Sequence, residues 1–100
     1  MMLLTAELRK KLPKLYSQEK VKDPICWVKF FTPWSYWTWF GIEFSPKENL
    51  FFGYVAGHEK ELGYFSLKEL ESVRGPGGLR IERDRYFKPT RLSVVKATRP

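Results

Sequence analysis

A chain of 100 residues, 43% hydrophobic and 17% aromatic, holds apolar material for one core and leaves little room for elaborate cavities. Its 18 Lys and Arg outnumber 11 Asp and Glu, for a formal charge of +7 and an isoelectric point near 9.7. One cysteine and one histidine exclude an internal disulfide and the usual zinc sites, and no apolar run approaches the ~20 residues of a membrane span.

Met1-Met2-Leu3-Leu4 is too short for a signal peptide and has no basic residue ahead of it, so a cytoplasmic protein is expected. Thr5 suits a helix N-cap, Glu7 falls in the positive first turn, and Leu8 and Leu12 share one face of the helix that follows. Pro13 crowds Leu12 out of the helical region and ends that helix. Residues 14–24 read as a loop in which Leu15 and Tyr16 tuck into the core.

Three strands come next. Ile25 to Phe31 places Cys26, Val28 and Phe30 on one side; Thr32-Pro33-Trp34-Ser35 is a turn. Tyr36 to Phe44 puts Thr38, Phe40, Ile42 and Phe44 on one face and Trp37, Trp39, Gly41 and Glu43 on the other. After a hairpin loop at residues 45–49, Leu50 to Val55 sets Leu50, Phe52 and Tyr54 opposite Phe51, Gly53 and Val55. Aromatic and β-branched enrichment favours an antiparallel meander. Gly57-His58-Glu59-Lys60 turns the chain into a short fourth strand, Leu62 to Phe65.

Ser66-Leu67-Lys68-Glu69 has the spacing of a capping box, with Leu67, Leu70 and Val73 along one face of a short helix. Arg74-Gly75-Pro76-Gly77-Gly78 terminates it. Leu79 to Arg85 reads as an edge strand with Ile81 inward. From Thr90 onward the chain is either a short helix carrying Leu92 and Val95 or, over residues 93–100, a flexible basic tail. The expected architecture is one α+β domain over residues 1–100. It has a four- to five-stranded antiparallel sheet, an N-terminal helix and a short helix after strand four.

Chemistry is sparse. Cys26 sits in a strand beside Trp27 and Val28, where a cysteine serves as a small buried apolar group rather than a nucleophile. His58 sits in a turn. Glu59 with Glu61, or Glu82 with Asp84, have the alternate spacing of a magnesium site. Yet Glu82 and Asp84 alternate with Arg83 and Arg85, as in a charged edge strand that resists pairing. The glycines at 75–78 follow a helix rather than precede one and lack a phosphate-loop lysine. No catalytic residue, metal or cofactor is expected.

Charge and aromatics are more informative. Residues 1–22 carry six basic and two acidic side chains, residues 23–73 four and seven, and residues 74–100 eight and two. If the ends meet, Arg9, Lys10 and Lys11 join Arg74, Arg80, Arg83, Arg85 and Lys88 in a face that attracts phosphates. If they do not, the same charges only keep the chain soluble. Trp37 and Trp39 fall on the second face of the sheet and Trp34 in the turn before it, all three either covered as ordinary core or exposed as stacking or interface groups.

The segments Leu3-Leu4-Thr5, Glu7 to Pro13, Leu15 to Glu19, Val28 to Trp34, Thr38-Trp39, Phe51 to Val55, Leu62 to Leu67, Glu69 to Gly75 and Ile81 to Asp84 together resemble a bacterial domain-of-unknown-function family. The resemblance covers nearly the whole chain but not residues 93–100, and it transfers nothing to Trp27 or Tyr36. It implies a setting rather than an activity: cargo of plasmids, phages and integrated elements, near conjugation, anti-restriction and DNA-processing genes. Two functions follow as expectations. One is a non-catalytic accessory module that binds nucleic acid or its machinery. The other is an adaptor or inhibitor that binds a host defence protein through an aromatic face built on Trp37 and Trp39.

Overall fold

The computed structural model describes residues 2–98. Thr5 starts α1 (Ala6–Lys11) as expected, its hydroxyl accepting the Leu8 amide at 3.2 Å, and Leu12 leaves the helical region with ψ 128° just before Pro13. The expected first strand is broken at Trp27 into β1 (Ile25–Cys26) and β2 (Val28–Phe31). There follow β3 (Thr38–Ser45), β4 (Leu50–Ala56), β5 (Lys60–Ser66) and α2 (Leu67–Ser72). A 3₁₀ turn (Pro76–Gly78), β6 (Glu82–Arg83), β7 (Thr90–Arg91) and α3 (Leu92–Thr98) complete the chain. The main sheet is antiparallel, in the order β5-β4-β3-β2-β6, and β1 pairs separately with β7. The edge strand expected from Leu79 to Arg85 contracts to Glu82 and Arg83, paired with Phe31 and Phe30, while Ile81 is buried as anticipated.

Alternation fails at two places, and both failures position the rest. The break at Trp27 sends Cys26 to one side of the sheet and Val28 and Phe30 to the other, rather than all three to one side. In β3 the pairing with β4 slips between Gly41 and Glu43, a β-bulge that adds one residue to the strand. Beyond it the faces exchange. Phe44, expected beside Phe40 and Ile42, instead lies opposite Phe51 and Phe65. Glu43 moves to the other face, opposite Phe52 and Tyr64.

Each face has its own cover. Val28, Phe30, Phe44, Phe51 and Phe65 pack under Leu3, Leu4 and Leu12 of the N-terminal segment and under Leu67 and Leu70 of α2. Phe40, Ile42, Tyr54 and Cys26 pack under Leu92 and Val95 of α3, with Phe87 alongside. The helix expected from Thr90 onward is therefore present through Thr98, and residues 99–100 of the expected tail lie outside the described residues. Val73, placed with Leu67 and Leu70 on the buried face of α2, is instead the exposed residue that ends the helix.

α2 keeps the serine half of the expected capping box and takes two further caps from Asn49. Ser66 Oγ accepts the Glu69 amide at 3.2 Å, Asn49 Oδ1 accepts that of Lys68 at 2.8 Å, and the Asn49 carbonyl accepts that of Leu67 at 3.2 Å. Asn49 reaches them from a left-handed conformation (φ 58°), which Asn tolerates better than most side chains. At the other end of the chain Asp23 holds α3. Its two carboxylate oxygens accept the Ser93 amide at 2.8 Å and hydroxyl at 2.7 Å.

Candidate nucleic-acid interface

The N-terminal segment and residues 80–85 meet along one margin of the sheet, whereas Lys96 of α3 lies over Tyr54 on the other face. Arg83 is half-buried on the face covered by the N-terminal segment, and its guanidinium donates to the carbonyls of Met2 at 2.8 Å and Leu3 at 3.0 Å. Arg80 lies beside Leu3, and its backbone bridges Arg74 across the 3₁₀ turn. Arg74 folds its own guanidinium onto the carbonyls of Glu71 and Val73, at 2.8 and 3.0 Å, at the end of α2. A groove of about 290 Å³ runs between α1, through Thr5, Glu7 and Leu8, and the Arg83–Arg85 segment. The other predicted cations stand differently. Arg9 lies over the Phe44 ring at 5.4 Å and Lys11 pairs with Glu7 at 3.5 Å, while Lys10 and Lys88 are exposed.

Arg85 is presented by a turn that is fixed at both ends. The Asp84 amide donates to the Lys29 carbonyl at 2.9 Å, and the Lys29 ammonium stands 3.5 Å from Asp84 Oδ2. Asp84 Oδ1 accepts the Tyr86 amide at 3.0 Å, an Asx turn, and the Asp84 carbonyl accepts that of Phe87 at 3.2 Å. Phe87 packs against Phe40 with ring centroids 5.7 Å apart. With Phe87 turned in, Tyr86 is turned out and is 92% exposed between Arg85 and Lys88. Below it, on the sheet face opposite the N-terminal cover, a groove of about 400 Å³ is walled by Phe31, Lys29, Glu82 and Tyr86. The side chains of Arg85 and Lys88 make no hydrogen bond or ion pair among the described residues, although the Lys88 carbonyl accepts the Thr90 hydroxyl at 2.6 Å. Tyr86 was not singled out in the sequence; the signal was there in Asp84 two residues earlier, the usual start of an Asx turn.

The predicted tryptophans are half-buried and engaged. Trp34 lies against Gly75 and Trp37 against Gly57 so closely that a Cβ at either glycine would collide with the ring. Trp34 and Trp39 pack on the core under the N-terminal segment. Trp37 stacks on Trp39 at 5.8 Å and meets the edge of His58 at 5.4 Å, whose Nδ1 is 2.9 Å from the Tyr36 hydroxyl. Tyr36 beside them is exposed, and two further exposed aromatics lie on the opposite face. Tyr16, expected in the core, is 57% exposed beside Tyr64 and Leu62, at the mouth of a cleft of about 410 Å³. In this cleft Glu43, only 3% exposed, accepts the amides of Tyr16 at 2.9 Å and Gln18 at 2.7 Å, holding Tyr16 at φ 69°. Desolvation, followed by the neighbouring Tyr16 hydroxyl, raises the Tyr64 phenol above its ordinary value.

Cys26 is fully buried, and burial, reinforced by Asp23, pushes its thiol up to about 12, so it is protonated near neutrality. Among the described residues no three His, Cys, Asp or Glu side chains gather as a metal site, and no helix is long and apolar enough to cross a membrane.

No curated protein and no solved structure matches the chain. A family match does exist, and it runs beyond the segments that carried the sequence resemblance, through the whole of α3. Residues 3–98, from the leucines that cover one face of the sheet to the helix that covers the other, match the family described as a protein of unknown function (DUF2958), and the chain belongs to that family.

Proposed function

We propose that the chain is a non-catalytic accessory module of a mobile genetic element, working in the cytoplasm, and that it binds nucleic acid through the margin formed by residues 80–88 and the N-terminal segment. The observation that carries this is the Asp84 turn, which holds Arg85, Tyr86 and Lys88 outward beside the Arg83-pinned N-terminus. Cations free of carboxylate partners release counterions when they meet phosphates, which is the main source of such affinity. Arg83 and Arg74 contribute positive potential from positions fixed by their carbonyl partners.

The test is the double variant Arg85→Glu, Lys88→Glu, measured by fluorescence anisotropy on labelled oligonucleotides. Neither side chain is tied into the fold, so a folded protein is expected whose affinity drops by about tenfold or more at low salt. Unchanged affinity overturns the proposal. Arg83→Glu is a poorer probe, because it also releases the Met2 and Leu3 carbonyls.

A second reading, an adaptor or inhibitor of a host defence protein, is favoured by one observation: Tyr16, Leu62 and Tyr64 are exposed around the cleft of about 410 Å³. Tyrosine and apolar anchors at a pocket suit a protein partner. That face replaces Trp37 and Trp39 as the surface to mutate, and Tyr64→Glu in a pull-down from nuclease-treated lysate discriminates the two.

A further inference from the structure

We infer that Tyr86 is a base-stacking platform, so that the nucleic acid taken by this margin is single-stranded. This rests on the reading of the margin as a nucleic-acid site and names its substrate class. Four observations converge. Tyr86 is 92% exposed, yet it stands on a turn locked by Asp84 from one side and by the packed Phe87 ring from the other. A ring held rigidly in water loses little entropy when a second ring stacks on it. It is flanked by Arg85 and Lys88, the spacing of a phosphate contact on either side of a stacked base.

The adjoining groove of about 400 Å³ also offers an aromatic wall and acceptors for a base. Its walls include the Phe31 ring, the carboxylates of Glu82 and Asp84, and the cations Lys29, Arg83 and Arg85, with Asp84 matched by Lys29 at 3.5 Å. A base edge offers amino groups that these carboxylates accept, and the cations beside them suit the phosphates that a base brings with it. In a duplex the bases are stacked on each other and Tyr86 finds no partner, while an unpaired strand offers one at each nucleotide.

The experiment compares wild type, Tyr86→Ala and Tyr86→Phe on labelled oligo(dT), oligo(rU) and a duplex of the same length at one salt concentration. Wild type is expected to prefer the single strands. Tyr86→Ala is expected to lose about five- to fiftyfold in affinity for them with duplex binding unchanged, and Tyr86→Phe to restore it. The dT and rU arms show which sugar is preferred. Single-strand affinity of Tyr86→Ala within twofold of wild type, or an equal loss on duplex, overturns the inference while leaving the basic margin intact. Absence of binding by wild type to every probe overturns the margin itself, and the inference with it.

Discussion

Glu43 shows how much one residue can organise. A buried carboxylate needs its lone pairs satisfied, and this one is satisfied by two backbone amides of the loop at residues 14–24. Together they fix Tyr16 in a left-handed conformation that a tyrosine rarely adopts. Glu43→Ala leaves both amides without their acceptor and is expected to cost about 2 kcal/mol in urea unfolding, with the loss concentrated in hydrogen-exchange protection of the Tyr16 and Gln18 amides. The sequence made Thr5 and Ser66 legible as caps because a short hydroxyl before a helix has one obvious use. Glu43 is placed by alternation with Trp37 and Trp39, on the wrong face, since nothing local announces a partner 25 to 27 residues away. Tyr16 was misjudged for the same reason, and Tyr86 was passed over because its exposure depends on where Phe87 goes.

Among the elements, the two terminal-side helices depend on polar residues outside them. α2 begins on three acceptors, two of them from Asn49 in the preceding hairpin. Asn49→Ala removes a cap and puts a Cβ residue with little taste for φ 58° in its place. A loss of about 2 kcal/mol is expected, and Asn49→Gly, which keeps the turn, should lose less than half of that in the same thermal melts. α3 hangs on Asp23, whose carboxyl is held below its ordinary 3.8 by the Ser93 hydroxyl and amide. A depressed folded value means the contribution is complete above the unfolded value and fades as pH falls through the folded one. Protection of α3 amides is therefore expected to hold down to about pH 4 and to decline in more acid solution, with Asp23→Asn flattening that decline. The meander from β2 to β5 and the helix positions were readable from hydrophobic spacing and caps, whereas the places of β6 and β7 and the Asp23 and Asn49 clamps were not, because each joins segments that only the fold brings together.

For the whole molecule, charge and packing separate cleanly. The core uses both faces of the sheet, so the aromatic wealth between Trp27 and Tyr54 is mostly spent on two interiors, and the surplus of cations is left to the surface. A surface of that kind predicts a binding constant that responds to salt. For about three phosphate contacts on a single strand, affinity should fall about ten- to twentyfold between 50 and 200 mM salt, and neutralising Lys88 should flatten the log–log slope. A protein interface at the Tyr16 and Tyr64 cleft would respond far less. The charge imbalance was plain in the sequence, and so was the α+β class. Which aromatics reach solvent was not, because facing is a matter of parity along each strand, and parity changed at Trp27 and again at Ile42. That second change carries a lesson for sequence variation in this family. Were β3 one residue shorter by loss of the extra position, the pleat would run unbroken. A chain that instead kept its length and ironed out the kink would drive an acid side chain into a slab of phenylalanines and a phenylalanine out toward the loop. Length and polarity at this point in the strand must therefore vary together, and a relative with a greasy residue in place of Glu43 is expected to have an unkinked third strand.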